Sequence, residues 1–339
     1  MAEQHTAQQI TVGIYGAAGY TGQELIRLIN GHPQAALAFA TSNQDAGNPV
    51  MGTNLTFQPH DAVDPATVDA VFLALPHTAS APVAGRASAA GTKVIDLSAD
   101  LRMDTPESYQ QWYDVPHPLP ELLPVPYGLP EINRAQLGGI AMVGVPGCYP
   151  TATLLGLYPL LDAHALAENA PIIVDAKSGV SGAGRQPKPV NHFVEVFGNL
   201  SPYNVGRVHR HTGEIEQEIG KLNGSTGPLI FTPHLLPVDR GLMATIYVTL
   251  NGAWEAAALQ DLYEETYSAE PLVNVLPAGK HATLKHVVNT PNAAVSVTVA
   301  TPTQVVIFSV IDNLLKGASS QALQNFNLMF NLQETTGLI

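Results

Sequence analysis

The sequence predicts an α/β chain in two parts: a doubly wound parallel-sheet domain, then an α+β domain with a mixed or antiparallel sheet. Three observations carry this. Over the first 145 residues short apolar runs alternate with helix-like segments, the rhythm of a parallel sheet covered on both faces. Beyond residue 148 that rhythm gives way to longer β-type runs separated by glycine-rich and polar stretches. The length, 339 residues, exceeds what one core organises, so two domains of roughly 150 residues are expected.

In chain order, strands are expected at 10–15, 36–40, 70–75, 93–97 and 140–145, with helices at 21–29 and 80–90 between them. The strand runs are continuously apolar because a strand in a doubly covered sheet is buried on both sides. Residues 116–130 interleave prolines with aromatic and aliphatic side chains and read as an ordered surface loop. In the second part β-type runs fall at 229–236, 242–250, 295–300 and 305–311. The stretch 313–332 spaces Leu314, Leu315, Ala318, Ala322, Leu323, Phe326, Met329 and Phe330 as an amphipathic helix. The expected division is 1–147, 148–311 and a C-terminal helical piece, 312–339.

The first strand feeds Gly16-Ala17-Ala18-Gly19-Tyr20-Thr21-Gly22 and then a helix. Glycines let the backbone approach a pyrophosphate, and the helix N-terminus donates N–H groups to it. In this strand–loop–helix setting the turn reads as a Rossmann-like dinucleotide site formed by Gly16, Gly19, Tyr20, Thr21 and Gly22. A tight turn serving packing alone is the alternative. NAD sites place an acid about 20 residues on, at the end of the second strand, to hold the ribose 2′-hydroxyl. Ala40-Thr41-Ser42-Asn43-Gln44 contains none, which leans toward NADPH with Ser42 as a contact; no arginine stands there either, so NADH is not excluded.

The only cysteine, Cys148, sits in Val145-Pro146-Gly147-Cys148-Tyr149-Pro150-Thr151, ahead of an apolar run. A lone intracellular cysteine is ordinarily a buried filler. Two prolines and a glycine instead specify a turn of special geometry at a helix mouth, where aligned N–H groups stabilise a thiolate. Cys148 is therefore read as a nucleophile.

Arg207-Val208-His209-Arg210-His211 precedes the helix-like run from Thr212, with Glu214 just inside it. A helix N-terminus disfavours imidazolium, so a histidine there is available as a base near pH 7, while Arg207 or Arg210 clamps an anion. A solvated basic patch is the alternative. Ser178–Gly184 has too many glycines for helix or strand; it either covers a nicotinamide or joins two elements. No zinc-type spacing occurs, so no metal is expected.

The net charge of −13, with only 15 Lys and Arg, argues against nucleic acid as a partner. No apolar run approaches the ~20 residues of a membrane helix. One cysteine allows no intrachain disulfide, and the first residues, Met1 to Thr6, lack signal-peptide character, so the expected compartment is a reducing cytoplasm.

Taken with Asp96-Leu97-Ser98-Ala99-Asp100-Leu101-Arg102, Tyr127-Gly128-Leu129-Pro130-Glu131, Asp175-Ala176-Lys177-Ser178-Gly179 and Ile311-Asp312-Asn313-Leu314-Leu315-Lys316-Gly317, these motifs resemble the N-acetyl-γ-glutamyl-phosphate reductase family of the aspartate-semialdehyde dehydrogenase superfamily over nearly the whole chain. The resemblance implies NADPH-dependent reduction of an acyl phosphate to an aldehyde in arginine biosynthesis, through a thioester on Cys148. It implies His211, with His209 second, as acid/base; Arg207, Arg210, Glu214 and Arg102 around substrate or phosphate; and Ser178, Gly179, Gly182 and Asn313 along the nicotinamide. It also implies a C-terminal helix returning to the first domain and a homodimer or homotetramer. The chain departs from the family pattern at Ser42-Asn43-Gln44, where an arginine is usual, at Val288-Asn289-Thr290-Pro291, and at Thr212-Gly213-Glu214, where a proline is usual. The rival readings are a sister reductase of α-aminoadipyl or aspartyl phosphate and a non-enzymatic NADP-sensing module.

Overall fold

The computed structural model describes residues 9–223 and 227–339. From the N-terminus come β1 (Ile10–Tyr15), α1 (Tyr20–Asn30), β2 (Ala35–Ala40), β3 (Ala70–Leu73), α2 (Ser80–Ala89), β4 (Lys93–Asp96), α3 (Pro106–Tyr113), α4 (Pro130–Asn133) and β5 (Met142–Gly144). Then follow α5 (Cys148–Asp162), β6 (Ile172–Gly179), α6 (Phe193–Val196), β7 (Ser201–Pro202), α7 (His211–Asn223), β8 (Leu229–Leu236), β9 (Leu242–Thr249) and α8 (Ala256–Tyr267). The chain closes with β10 (Val273–Val275), β11 (Ala293–Thr301), β12 (Gln304–Ile311) and α9 (Ser320–Met329). Among the described residues two compact units form, one from 9–105, 117–145 and 319–339, the other from 106–116 and 146–318.

In the first unit the strands lie in the order β2-β1-β3-β4-β5, every neighbouring pair parallel. From β1 the chain steps outward one way to β2 and then crosses to β3 on the other side. That reversal leaves a crevice at the carboxyl ends of β1 and β3, where doubly wound sheets bind ligands. One face packs Tyr15, Phe39, Leu73, Val83, Val94 and Leu101 into a core. Helix α9 belongs to this unit and sets Phe326 against Phe72, ring centroids 5.7 Å apart. Two of its buried amide groups are hydrogen-bonded within the unit: Asn325 Nδ2 donates to the Gly128 carbonyl (2.8 Å) and Asn327 Oδ1 meets His32 Nε2 (3.0 Å). Unpaired, each would cost about 1–3 kcal/mol.

The second unit carries a mixed seven-stranded sheet in the order β10-β11-β12-β9-β6-β8-β7; β6–β8 and β10–β11 are parallel and the remaining pairs antiparallel. Helix α5 is apolar all round, as a fully enclosed helix must be, and crosses β9 and β12. Gly156 permits that approach, since a Cβ there would stand 2.6 Å from the Ile246 Cδ1. The Tyr263 and Tyr267 hydroxyls donate to the Gly156 and Leu155 carbonyls on the helix.

Two sequence expectations are corrected. Ser178 and Gly179 are not loop but the end of β6, because their backbone continues the pairing with Leu235 and Leu236; only Val180–Ala183 turns, as a 3₁₀ helix. The C-terminal helix begins at Ser320 rather than near 313. Asp312 intervenes: its carboxylate accepts the Leu314 and Leu315 N–H groups, and its carbonyl takes the Gly317 N–H five residues on, making Leu315–Ser319 a π-turn.

Candidate active site

In the first unit the three glycines of the turn after β1 have three different reasons to be glycine. Gly16 has φ +75°, and a Cβ there would stand 2.3 Å from the Ala74 carbonyl oxygen. At Gly22 a Cβ would stand 2.5 Å from the Ala17 Cα, so this residue lets α1 close onto the turn. A Cβ at Gly19 would meet only the Gly16 carbonyl at an ordinary 3.5 Å. Packing within the chain therefore does not require a glycine at 19. Gly19 is also the N-cap of α1 and offers no side-chain cap to its first turn. A pyrophosphate fits this arrangement of turn and helix start.

Ser42 lies at the end of β2 and is corrected in one respect. An acid is present after all: Ser42 Oγ donates to Asp45 Oδ2 at 3.1 Å, one residue past the stretch in which the sequence shows none. Arg102 is a brace in this unit. Its Nε donates to the Val145 carbonyl (2.8 Å) and its Nη2 to the Leu97 carbonyl (2.7 Å), tying the ends of β4 and β5.

In the second unit Cys148 is the first residue of α5, partly buried, with Gly147 as N-cap in extended geometry and no side-chain cap. Buried Glu214 on α7 reaches across and accepts the Gly147 N–H through Oε1 at 2.9 Å. Gly317 of the π-turn lies against the thiol residue: a Cβ at 317 would stand 2.7 Å from the Cys148 Cβ. The next side chain, Tyr149, packs edge-on to both His209 (5.7 Å) and His211 (6.0 Å), whose rings are 4.8 Å from each other. Tyr203 donates its hydroxyl to that of Tyr149 at 3.1 Å. Burial pushes the Tyr203 phenol up to about 12, with the Tyr149 hydrogen bond opposing and the Cys148 charge adding.

The two histidines differ. His209 is 9% exposed, and burial, aided by the Arg210 charge, pushes it down to about 4. Its Nδ1 accepts the His211 backbone N–H at 3.2 Å, which leaves the proton of the neutral ring on Nε2. His211 opens α7 and is less buried. The arginines part as well. Arg207, at φ +66°, holds Glu216 in a two-pronged ion pair (2.6 and 2.8 Å), which raises its pKa. Arg210 is exposed and stands over the Tyr113 ring at 5.3 Å.

Ser178 and Asn313 line one corner of this unit, where a Cβ on Gly182 would stand 2.9 Å from the Ser178 hydroxyl. Gly179 admits the backbone of Arg240, 2.8 Å from its imagined Cβ. Asn313 accepts the Gly241 N–H (2.8 Å) and donates to Ser181 (3.0 Å), so its position is fixed from both ends of its amide. At the altered stretch, Asn289 takes φ +64°, which asparagine tolerates, and donates its N–H to Asp312.

Sequence reasoning missed Tyr149, Tyr203, Gly317 and helix α3. Trp112 of α3 lies where a Cβ on Gly213 would go, 2.1 Å from its Nε1, and its ring is under Arg207 at 6.0 Å. The glycine at 213 thus admits an indole that firms the start of α7. The signal was present: Pro106 at a helix start, with Tyr109, Trp112 and Tyr113 at helical spacing.

A parallel sheet with a glycine turn at its switch point, and a mixed sheet whose enclosed helix starts with a thiol beside a histidine pair, define a two-unit dehydrogenase carrying a cysteine. Residues 11–140 match the family model of the semialdehyde dehydrogenase NAD binding domain, and 148–313 that of the semialdehyde dehydrogenase dimerisation domain. Relatives named N-acetyl-gamma-glutamyl-phosphate reductase from Geobacter metallireducens and Moorella thermoacetica are 45% identical over 340 and 342 residues, covering 97% of this chain and 98% of theirs. Aspartate semialdehyde dehydrogenase II of Vibrio cholerae, complexed with ASA, matches at TM-score 0.75 and 20% identity, covering 95% of this chain and 98% of that one. Aspartate semialdehyde dehydrogenase with NADP from Candida albicans matches at TM-score 0.68 and 14% identity, covering 95% and 99%. At such identities the likeness is one of fold. The chain belongs to the N-acetyl-γ-glutamyl-phosphate reductase family of the semialdehyde dehydrogenases.

Proposed function

We propose that this enzyme reduces N-acetyl-γ-glutamyl phosphate to N-acetylglutamate 5-semialdehyde and phosphate through a thioester on Cys148. The observation that carries the reading is Cys148 at the head of α5, its N-cap N–H held by buried Glu214. The positive end of a 15-residue enclosed helix stabilises the thiolate that attacks the acyl carbon, and phosphate leaves as the C–S bond forms. NADPH or NADH, when bound on the glycine turn, supplies the hydride that takes the acyl carbon to the aldehyde level. His211 gives a proton to the acyl oxygen of the reduced adduct and recovers it as the aldehyde leaves sulfur. His209 is a poor base near pH 7 and instead holds the His211 backbone. Arg210, exposed beside the histidine pair, takes the phosphate, and Arg207 holds Glu216. Arg102 acts by bracing the strand ends rather than by touching substrate.

The assembly is a homodimer or homotetramer in the cytoplasm. The match to a dimerisation domain supports association, as does an apolar row on the second sheet: Tyr247, Ile173 and Ile230, 37–46% exposed, stand side by side across β9, β6 and β8. Cys148→Ser tests the chemistry. Phosphate-dependent reduction of NADP by N-acetylglutamate semialdehyde should fall by roughly a thousandfold or more, and near-normal turnover would sink the reading.

A further inference from the structure

We propose that the loop after β2 selects against the 2′-phosphate of NADP, with Asp45 as the discriminating residue and Ser42 holding it in place, so that this chain takes NADH in preference to NADPH. The proposal rests on the glycine turn being a dinucleotide site. Asp45 follows the last residue of β2, Ala40, by five positions, and a tight turn brings it back to the strand end. Ser42 Oγ donates to Asp45 Oδ2 (3.1 Å) and accepts the Asp45 N–H (3.1 Å), while the Ser42 N–H goes to the Gln58 carbonyl (2.9 Å). Ser42 is itself buried. Its one hydroxyl proton is therefore given to a carboxylate. A 2′-phosphate, which only accepts, would have to take that proton from Asp45 and then sit beside its charge. A ribose 2′-hydroxyl, which can donate, meets a ready acceptor.

The turn is fixed to the pyrophosphate-facing loop. The Ala17 N–H donates to the Thr41 carbonyl (2.8 Å) and the Gly16 N–H to Thr41 Oγ1 (3.4 Å), so strand end and glycine turn are stitched at the residue before Ser42. The charges around it point the same way. Between Arg27 and Arg86 the sequence contains no Lys or Arg, but has Asp45, Asp61, Asp64 and Asp69. Arg27 is paired with Glu24 on α1 at 2.8 Å. His60, within 2.7 Å of Thr41 Oγ1, has its pKa lowered by burial, with Asp61 opposing. Arg86, on α2, is the next cation along the chain that could answer a 2′-phosphate, and its charge opposes the burial that raises the Tyr15 phenol.

Calorimetric titration of the whole protein with ADP-ribose and with 2′-phospho-ADP-ribose tests this without turnover. The wild type should bind ADP-ribose about tenfold more tightly or better, Asp45→Asn should narrow the ratio by about tenfold, and Arg86→Ala should leave it unchanged. Tighter binding of the phosphorylated probe by the wild type, or an unchanged ratio in Asp45→Asn, overturns the proposal. Because each variant is judged on a ratio, a loss of folded protein lowers both titrations alike and does not mimic the result. Binding of neither probe overturns the dinucleotide reading together with it.

Discussion

At the residue scale the two histidines sit in different surroundings, His209 buried and His211 less so. The unfolded chain protonates His209 near its ordinary 6.5, while the folded chain does so only near 4, so acidification through that window favours the unfolded state. Buried Asp96 acts in the opposite sense. Burial and neighbouring Asp100 push it up to about 6, so it adds stability as pH falls from there toward 3.8. The His209 contribution is therefore read as a difference: His209→Gln should gain on the wild type in thermal midpoint as pH drops from 7 to about 4.5. A constant gap across that range would mean His209 does not titrate as its burial requires. Turnover should separate the pair the other way, with His211→Asn losing roughly a hundredfold or more in kcat and the acid–base arm of its pH profile, and His209→Asn losing less. The reverse ordering would move the acid/base role to His209. Sequence placed both histidines at a helix mouth, but which one faces inward depends on Tyr149, Tyr203 and Phe231 closing over His209, contacts brought from α5, the residue after β7, and β8.

At the scale of elements, β1 and β8 have the bounds the sequence indicates, whereas β6, β7 and β10 were not indicated. What was not legible follows from tertiary contact. Ser178 and Gly179 extend β6 because a neighbouring strand is available to pair, something composition does not show. The last helix starts late because Asp312 captures the Leu314 and Leu315 N–H groups with its carboxylate and the Gly317 N–H with its carbonyl. The resulting π-turn has a use, since it puts Gly317 against the Cys148 Cβ; π-turns recur at functional sites. Gly317→Ala should force the thiol or the turn to shift. The expected result is a stability loss of about 1–3 kcal/mol from overpacking and a fall in turnover of about a hundredfold from displacing a reacting atom by ~1 Å. Wild-type turnover in a folded Gly317→Ala protein would show that the contact is incidental.

At the scale of the whole molecule, length and rhythm announced two cores, and the glycine turn and the cysteine each fell in a different one. Sequence did not reveal that α3, embedded in the N-terminal half, belongs to the second unit, where Trp112 and Tyr113 support the Arg207–His211 segment. The Tyr247, Ile173 and Ile230 row was hidden too, because only the strand pairing brings these positions together. If that row is covered in a homo-oligomer, Ile173→Lys with Ile230→Lys should lower the mass found by sedimentation by a factor of two or more; an unchanged mass would place the interface elsewhere.

In the proposed reaction Cys148 carries the acyl group. Mixing the enzyme with N-acetylglutamate semialdehyde and excess oxidised cofactor, without phosphate, tests it most directly. The expected result is a rapid burst of about one reduced cofactor per active site, with the acyl mass on the Cys148 peptide and its release on adding phosphate. A burst with no adduct on Cys148, or steady turnover that ignores phosphate, would contradict it.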